Sequence, residues 1–390
     1  MTATSESRLP RVGDWFIDAD AHITEPADVW TARVPMHLRD RAPRLVRDPK
    51  TGRDVWHVGE STPLVPVGHT AVAGWPDPFP AAPRNMDEVP RASWDAQARL
   101  DYLDSIGAWA QVLYPNVAGF GNQSFLALED AELMLACVRA YNDFLIDWCS
   151  TDARRLLPVM ATPFWDVDAA ISEVRRCAGL GHRGVLFTGE PQHFDLPYLG
   201  DGHWDPFWAA VQETGLPVSF HIGSADFTKG FAPGRIKAHG VAATYVATSV
   251  ALFLENGAQI VDLLMSGVLG RFPELRFVSV ESGIGFIPFI LEAADYAFED
   301  GKVWRERPGF TMKPSDYFRR NMACTFLDDE RGLRMRHELG VENIMWSTDF
   351  PHPATTWPHS REVVERQFAG MPADERELIL CGNAARVYGL

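Results

Sequence analysis

The sequence predicts a (β/α)8 barrel, distorted by long insertions after its first and fifth strands. Three observations lead there. Eight short apolar runs recur along the chain, most of them ending in polar residues. Segments of helical period separate most of these runs, and that alternation builds parallel βαβ units. Two excursions, residues 31–90 and 224–244, interrupt the alternation, and the first carries no helical period.

The strands come in order as WFIDADAH (15–22), AQVLYPN (110–116), LLPVMATP (156–163), HRGVLFTG (182–189), LPVSFHIG (216–223), LRFVSVES (275–282), MACTFLDD (322–329) and NIMWSTDFPH (343–352). Helical patterns cover residues 93–107, 130–150, 167–181, 205–215 and 258–273. The structural rival is a doubly wound open sheet, but no G-x-G-x-x-G follows the first strand, which weakens its nucleotide-binding form. The first excursion is rich in Pro, Gly and Trp, as in VGHTAVAGWPDPFPAAPRN, and the second reads SADFTKGFAPGRIKAHGVAAT. Loops of this length in a compact domain usually act as lids or binding loops. Trp56 and Trp75 either line such a lid or form a small satellite core. The whole of 1–390 reads as one barrel domain, without internal repeats.

Bulk composition narrows the function. A formal net charge of −16 argues against nucleic acid or an anionic membrane surface as partner. The five cysteines are scattered and form no C-x-x-C, so neither a disulfide framework nor a structural zinc knuckle is expected, and a reducing cytoplasm fits best. The opening MTATSESRLPRV lacks the apolar core of a secretory signal, and no run approaches the roughly 18 apolar residues of a membrane span. A small-molecule substrate is the expected partner.

The polar residues at strand ends carry the chemistry. Side chains two apart in a strand share a face, so Asp18, Asp20 and His22 of FIDADAHITEP are expected to point one way. Asp20, His22, His221, Glu281 and Asp349 each follow an apolar run and would gather at the C-terminal mouth of a barrel, where active sites of this fold lie. A single histidine there is usually structural; several imidazoles and carboxylates together point to a divalent cation. Nitrogen and oxygen donors of this kind suit Zn²⁺, with Mn²⁺ or Fe²⁺ as substitutes, and Asp20 and Asp349 would balance its charge. Asp18, one pleat deeper, is expected to buttress the strand. Glu25 supports the site or merely opens the next loop. His352 and His359, on the loop after Asp349, are candidates to reach substrate. Arg235, Lys237 and His239 are candidates to bind a substrate carboxylate.

With these motifs in view the chain resembles the amidohydrolase superfamily, in the branch of aminocarboxymuconate-semialdehyde decarboxylase (amidohydrolase family 2). DADAH, FHIG, FPELRFVSVESGIGFIPFILE, NIMWSTDFPH and the closing GNAARVYGL bear the resemblance, which spans residues 15–390. It implies a distorted (β/α)8 barrel with one catalytic divalent metal held by Asp20, His22, His221 and Asp349, and it suggests a homodimer. The first-strand H-x-H motif of that branch falls on Asp20 and His22, so an aspartate replaces the first histidine. The superfamily's bridging carbamylated lysine has no counterpart, since HRGVLF offers only Arg183; a mononuclear site follows. Where many decarboxylases of the branch carry a water-activating histidine on the sixth strand, this sequence has Glu281.

The expected catalytic residues are therefore Glu281 as general base, Asp349 and His352. The branch favours non-oxidative decarboxylation of an aromatic or muconate-like acid. A glutamate beside metal-bound water is a common hydrolytic pair, and by that margin the reading leans to hydrolysis of a C–N or C–C bond in a small cyclic or aromatic carbonyl compound. A barrel that has lost its chemistry and serves as a binding protein is the remaining alternative.

Overall fold

A computed structural model describes residues 15–59, 63–225 and 228–390. The opening segment read above for a signal lies outside these residues, as do 60–62 and 226–227 within the two excursions. Among the described residues eleven strands fall into two sheets. Eight form the barrel: β1 (Phe16–His22), β5 (Ala108–Tyr114), β6 (Leu156–Met160), β7 (Gly184–Leu186), β8 (Val218–His221), β9 (Phe277–Val280), β10 (Met322–Phe326) and β11 (Ile344–Trp346), neighbours in that order. Their pairings are all parallel. The seam between last and first strand closes beyond β11: Asp349 N donates to Asp20 O at 3.0 Å, His22 N donates to Phe350 O at 2.7 Å, and Ala21 bridges Phe350. The predicted (β/α)8 barrel is the fold.

Local sequence sets the alternation. Helices α1 (Ala96–Ile106), α2 (Ala131–Cys149) and α3 (Val167–Leu180) each start on an aspartate, Asp95, Asp130 or Asp166, whose carboxylate accepts an N–H of the first turn. α1, α3 and α4 (Asp205–Thr214) end on Gly107, Gly181 and Gly215, all left-handed, which turns the chain into the next strand. Side chains on the outer face of the strands pack against the helices. Those on the inner face, including Ile17, Ala19, Val112, Val159 and Val280, form a second core. The closing helix Asn383–Tyr388 plugs the floor of the barrel with Ala384, Val387 and Tyr388. The Tyr388 hydroxyl meets that of Tyr114 at 3.1 Å, and Tyr114 meets Ser219 Oγ at 2.9 Å.

Both excursions hold more structure than their composition announced. The first contains a small antiparallel sheet, β2 (Arg44–Arg47), β3 (Asp54–His57) and β4 (Pro63–Pro66). Trp56 is buried there, edge-on to Trp30 at 5.1 Å, as part of the core; Trp75 is half-buried. The second excursion is largely helical: α5 (Pro233–His239) and α6 (Val241–Met265) meet at Gly240, φ 81°. The predicted helix 258–273 is thus the end of α6 plus a separate turn, Val268–Arg271, after left-handed Gly267. α6 is nearly uncharged from 241 to 254, so it lacks the polar face that reveals a helical period. The first excursion meets α6, Phe79 packing on Tyr245 with ring centroids 4.5 Å apart. The first is also tied to the seam, since Val72 N and Ala73 N both donate to Pro351 O. Among the described residues no single helix is long and apolar enough to cross a membrane, and all five cysteines are free and buried.

Candidate metal centre

The first strand does not alternate strictly. Asp18 pairs with Gln111 and Ala21 with Leu113, so β1 carries one extra residue against β5. This bulge reverses the parity of the strand. Ile17 and Ala19 face inward below it, while Asp20 and His22 face inward above it. Asp18 is left pointing outward, toward α1, and the expectation that it shares a face with Asp20 and His22 is corrected accordingly. There Asp18 accepts from Gln111 Nε2 (2.7 Å), Thr348 N (2.8 Å) and Thr348 Oγ1 (2.5 Å). Gln111 Oε1 in turn accepts from Arg99 Nη1 (2.6 Å), whose Nη2 donates to the His22 carbonyl (2.8 Å). One buried network thus ties the ends of β1 and β11 together from behind. Burial raises Asp18 to about 6 despite these donors and lowers Arg99 to about 10.

Inside the mouth, Asp20, His22, His221 and Glu281 bring their donor atoms within 4.8 Å of one another, and His22, Glu281, Asp349 and His352 do the same. His22 Nδ1 lies 3.1 Å from Pro115 O and His221 Nδ1 lies 2.9 Å from Ile222 O. A carbonyl only accepts, so the Nδ1 atoms carry protons and both Nε2 atoms face the site, each with a lone pair when its ring is neutral. Those two Nε2 atoms are 3.1 Å apart. Asp20 Oδ1 stands 3.7 Å from His22 Nε2 and 3.6 Å from His221 Nε2. Asp349 Oδ1 is 3.6 Å from His22 Nε2, and Glu281 Oε2 is 3.5 Å from His221 Nε2.

Among the described residues neither oxygen of Asp20 has a hydrogen-bond donor, and Asp349 makes no aligned hydrogen bond although His352 Nδ1 lies 2.8 Å from its Oδ1; all four oxygens are buried. Buried carboxylate oxygens without donors are costly, and lone pairs crowded on one point repel. A divalent cation resolves both faults, so the donor set fits one such ion. Glu281 (φ 61°) and Asp349 (φ 53°) both sit on left-handed backbone, which costs a non-glycine residue on the order of 1–3 kcal/mol. The Glu281 N–H donates to Thr325 Oγ1 at 2.8 Å and that of Asp349 to Asp20 O, which holds each carboxylate aimed inward.

Electrostatics follow from burial and crowding. Burial and then the Asp349 charge push Glu281 well up; burial and then Asp20 push Asp349 up. Burial, His352 and His221 push His22 well down. Burial also lowers His221, but the Asp20 carboxylate and the Glu281 charge outweigh it and its pKa rises. His352 falls to about 4 through burial. Its ring stacks on His22 at 3.9 Å, its Nδ1 lies 2.8 Å from Asp349 Oδ1, and its Nε2 meets Asn116 Oδ1 at 2.6 Å. Glu25 holds this corner: its Oε1 accepts from Asn116 N and Val117 N, both at 2.9 Å.

The remaining candidates lie elsewhere. His359 is 72% exposed on its side chain and 3.8 Å from Glu362, at the start of the helix Ser360–Gln367. Arg235 (half-buried), Lys237 and His239 (both exposed) lie on α5, outside the cluster of donors. Sequence reasoning missed Asn116, Phe120 and Tyr245. Phe120 stacks on His221 at 4.5 Å, and burial, then the Asp349 and Glu281 charges, push Tyr245 up to about 12. The glycine-flanked run NVAGFGN after β5 was the available signal.

Residues 17–390 match the family model described as amidohydrolase. The chain belongs to the amidohydrolase family. It is an enzyme, which sets aside the inactive-barrel alternative. The family member is similar to a gamma-resorcylate decarboxylase from Rhizobium sp. (strain MTP-10005), 24% identical over 68% of this chain and 81% of that one. Its fold is similar to an amidohydrolase from Mycobacterium avium subsp. paratuberculosis K-10 (TM-score 0.74, 20% identity, 96% and 99% of the two chains). It is also similar to a dihydroxybenzoic acid decarboxylase from Polaromonas sp. JS666 with bound manganese and the inhibitor 2-nitroresorcinol (TM-score 0.62, 19% identity, 97% and 98%).

Proposed function

We propose that this amidohydrolase is a metal-dependent, non-oxidative decarboxylase of a hydroxylated aromatic carboxylic acid. The observation that carries the reading is the convergence of unpartnered carboxylate oxygens and two imidazole lone pairs at the barrel mouth, beside the aromatic ring of Phe120. The chemistry named for the decarboxylase relatives supports it. The lean to hydrolysis drawn from Glu281 finds no such support, and decarboxylation replaces it as the main reading. Zinc likewise gives way to manganese, the metal bound in the Polaromonas relative.

Asp20, His22, His221 and Asp349 would hold the cation. When bound it supplies a Lewis acid that polarises a substrate oxygen. The protein's own residues handle the proton. In decarboxylation the ring–carboxyl bond breaks, CO₂ leaves, and one proton takes its place on the ring carbon. Burial and the Asp349 charge push Glu281 up, and its Oε2 stands 3.5 Å from His221 Nε2, so it is the carboxyl placed to pass a proton at the mouth. Glu281 (8%) and His352 (6%) are the members of the cluster that touch solvent, so they are positioned to deliver and replace that proton. Turnover of dihydroxybenzoates by the Mn²⁺-loaded protein in D₂O tests the reading. CO₂ release with one deuterium at the vacated ring carbon is expected. Turnover of amide or dione substrates with ¹⁸O from water in a product carboxylate, and no CO₂, would establish hydrolysis instead.

A further inference from the structure

Asp20, His22, His221 and Asp349 expose nothing to solvent, so neither a cation nor a substrate reaches them in this arrangement. Two aromatic rings flank the imidazoles. Tyr114 lies below, fully buried and bonded to Ser219 and Tyr388, so it is fixed. Phe120 lies on the solvent side and is half-buried. Its ring centroid is 4.5 Å from that of His221 at an interplanar angle of 27°, 5.2 Å from His22 and 5.8 Å from His352. Phe120 has no polar atom and no bond that holds its ring there.

The backbone around Phe120 is pinned. Gly121 N donates to Gln123 Oε1 at 2.8 Å, and Gln123 Nε2 donates to Gly223 O at 2.8 Å, stapling the loop to the end of β8. Residue 119 has φ 83°, and a Cβ at residue 121 would come within 2.5 Å of Ser224 O, so both flanks require glycine. With the backbone pinned on both sides, displacing the Phe120 ring falls to its side-chain torsions rather than to the loop.

We infer that Phe120 occupies the slot of the substrate's ring, and that it is a specificity-determining gate which a flat aromatic acid displaces on entry. This rests on the decarboxylase reading for the choice of an aromatic acid. A ring stacked on His221 already shows that the space beside the donors accepts one planar six-membered ring. A ligand that competes with a covered state binds more weakly by the fraction of time the slot is open. Removing the ring removes that loss.

Two readouts on the Mn²⁺-loaded protein test this without relying on turnover. The first is the rate at which EDTA extracts Mn²⁺; the second is the affinity for salicylate, by calorimetry. Phe120→Ala should speed extraction and tighten salicylate binding, each about tenfold, as expected when the open state is roughly one-tenth populated. Phe120→Leu, a smaller cut in the same direction, should give intermediate values and serves if the alanine variant folds poorly. Extraction unchanged in the variant, or salicylate bound no tighter than by the wild type, overturns the proposal. Absence of CO₂ release would sink the decarboxylase reading and leave these two results standing.

Discussion

His22 Nε2 and His221 Nε2 stand 3.1 Å apart, and the Nδ1–H of each ring is committed to a backbone carbonyl. With both Nδ1–H groups committed, the two Nε2 atoms can share at most a proton or a cation, and their residues are 199 apart in sequence, so nothing local forces them together. A shared cation gives the arrangement a reason. Purified protein should therefore hold about one divalent ion per chain by elemental analysis. His22→Ala and His221→Ala should each lose it, and chelation should lower the melting temperature, since a ligand at a hundred times its Kd stabilises by about 2.7 kcal/mol. A wild type free of metal and indifferent to chelator would contradict the site.

Glu281→Gln keeps the shape of the side chain and removes its ability to carry a proton. Metal content should stay at the wild-type level, because the four proposed ligands are untouched. The rate should fall by roughly 10²–10⁴, the usual share of general acid–base catalysis. A variant with full rate would make Glu281 structural and turn attention to His352, 2.8 Å from Asp349.

Thr348→Val is nearly isosteric and deletes the hydroxyl that donates to Asp18 Oδ2. The loss should cost about 1–3 kcal/mol in denaturant unfolding, the range for a buried hydrogen bond left half-made. It should also weaken Mn²⁺ binding, because Thr348 precedes Asp349 on a left-handed turn that this bond helps fix. Unchanged Mn²⁺ affinity would confine the network to stability alone.

His182 titrates far from the cluster. It is buried before β7, with Nδ1 3.3 Å from Cys177 O, and burial lowers its pKa to about 4 from 6.5. The unfolded chain then binds a proton that the folded chain refuses. Its contribution is complete above pH 6.5 and is lost as the pH falls toward 4. The total is about 3 kcal/mol at most. His182→Leu should flatten the stability profile over that window; identical profiles for the two proteins would show that His182 is solvated when folded.

The strands and the five strand-end residues were legible because each strand is a short apolar run that stops at its polar residue, a signal carried within a few positions. Asp18 was not: its face depends on a bulge, and a bulge is set by pairing with β5, about 90 residues away. α6 was hidden by its own composition, apolar on every side. Phe120 and Asn116 follow β5 in a glycine-rich stretch that reads as an idle turn until His22, His221 and His352 are seen around it.

The seam between β1 and β11 also fixes when the centre comes into being during synthesis. Asp18 and Thr348 are 330 residues apart, and the carbonyl and N–H that join Asp20 to Asp349 are almost as distant. At 5–20 residues per second a ribosome needs roughly 15–70 s to make that stretch. Throughout this time the first strand waits without its last partner, an open edge of the kind that pairs wrongly with other nascent chains. Charge set into an edge strand opposes such pairing, and this strand carries the carboxylates of Asp18 and Asp20. Asp18 and Asp20 sit on that open edge for the whole interval.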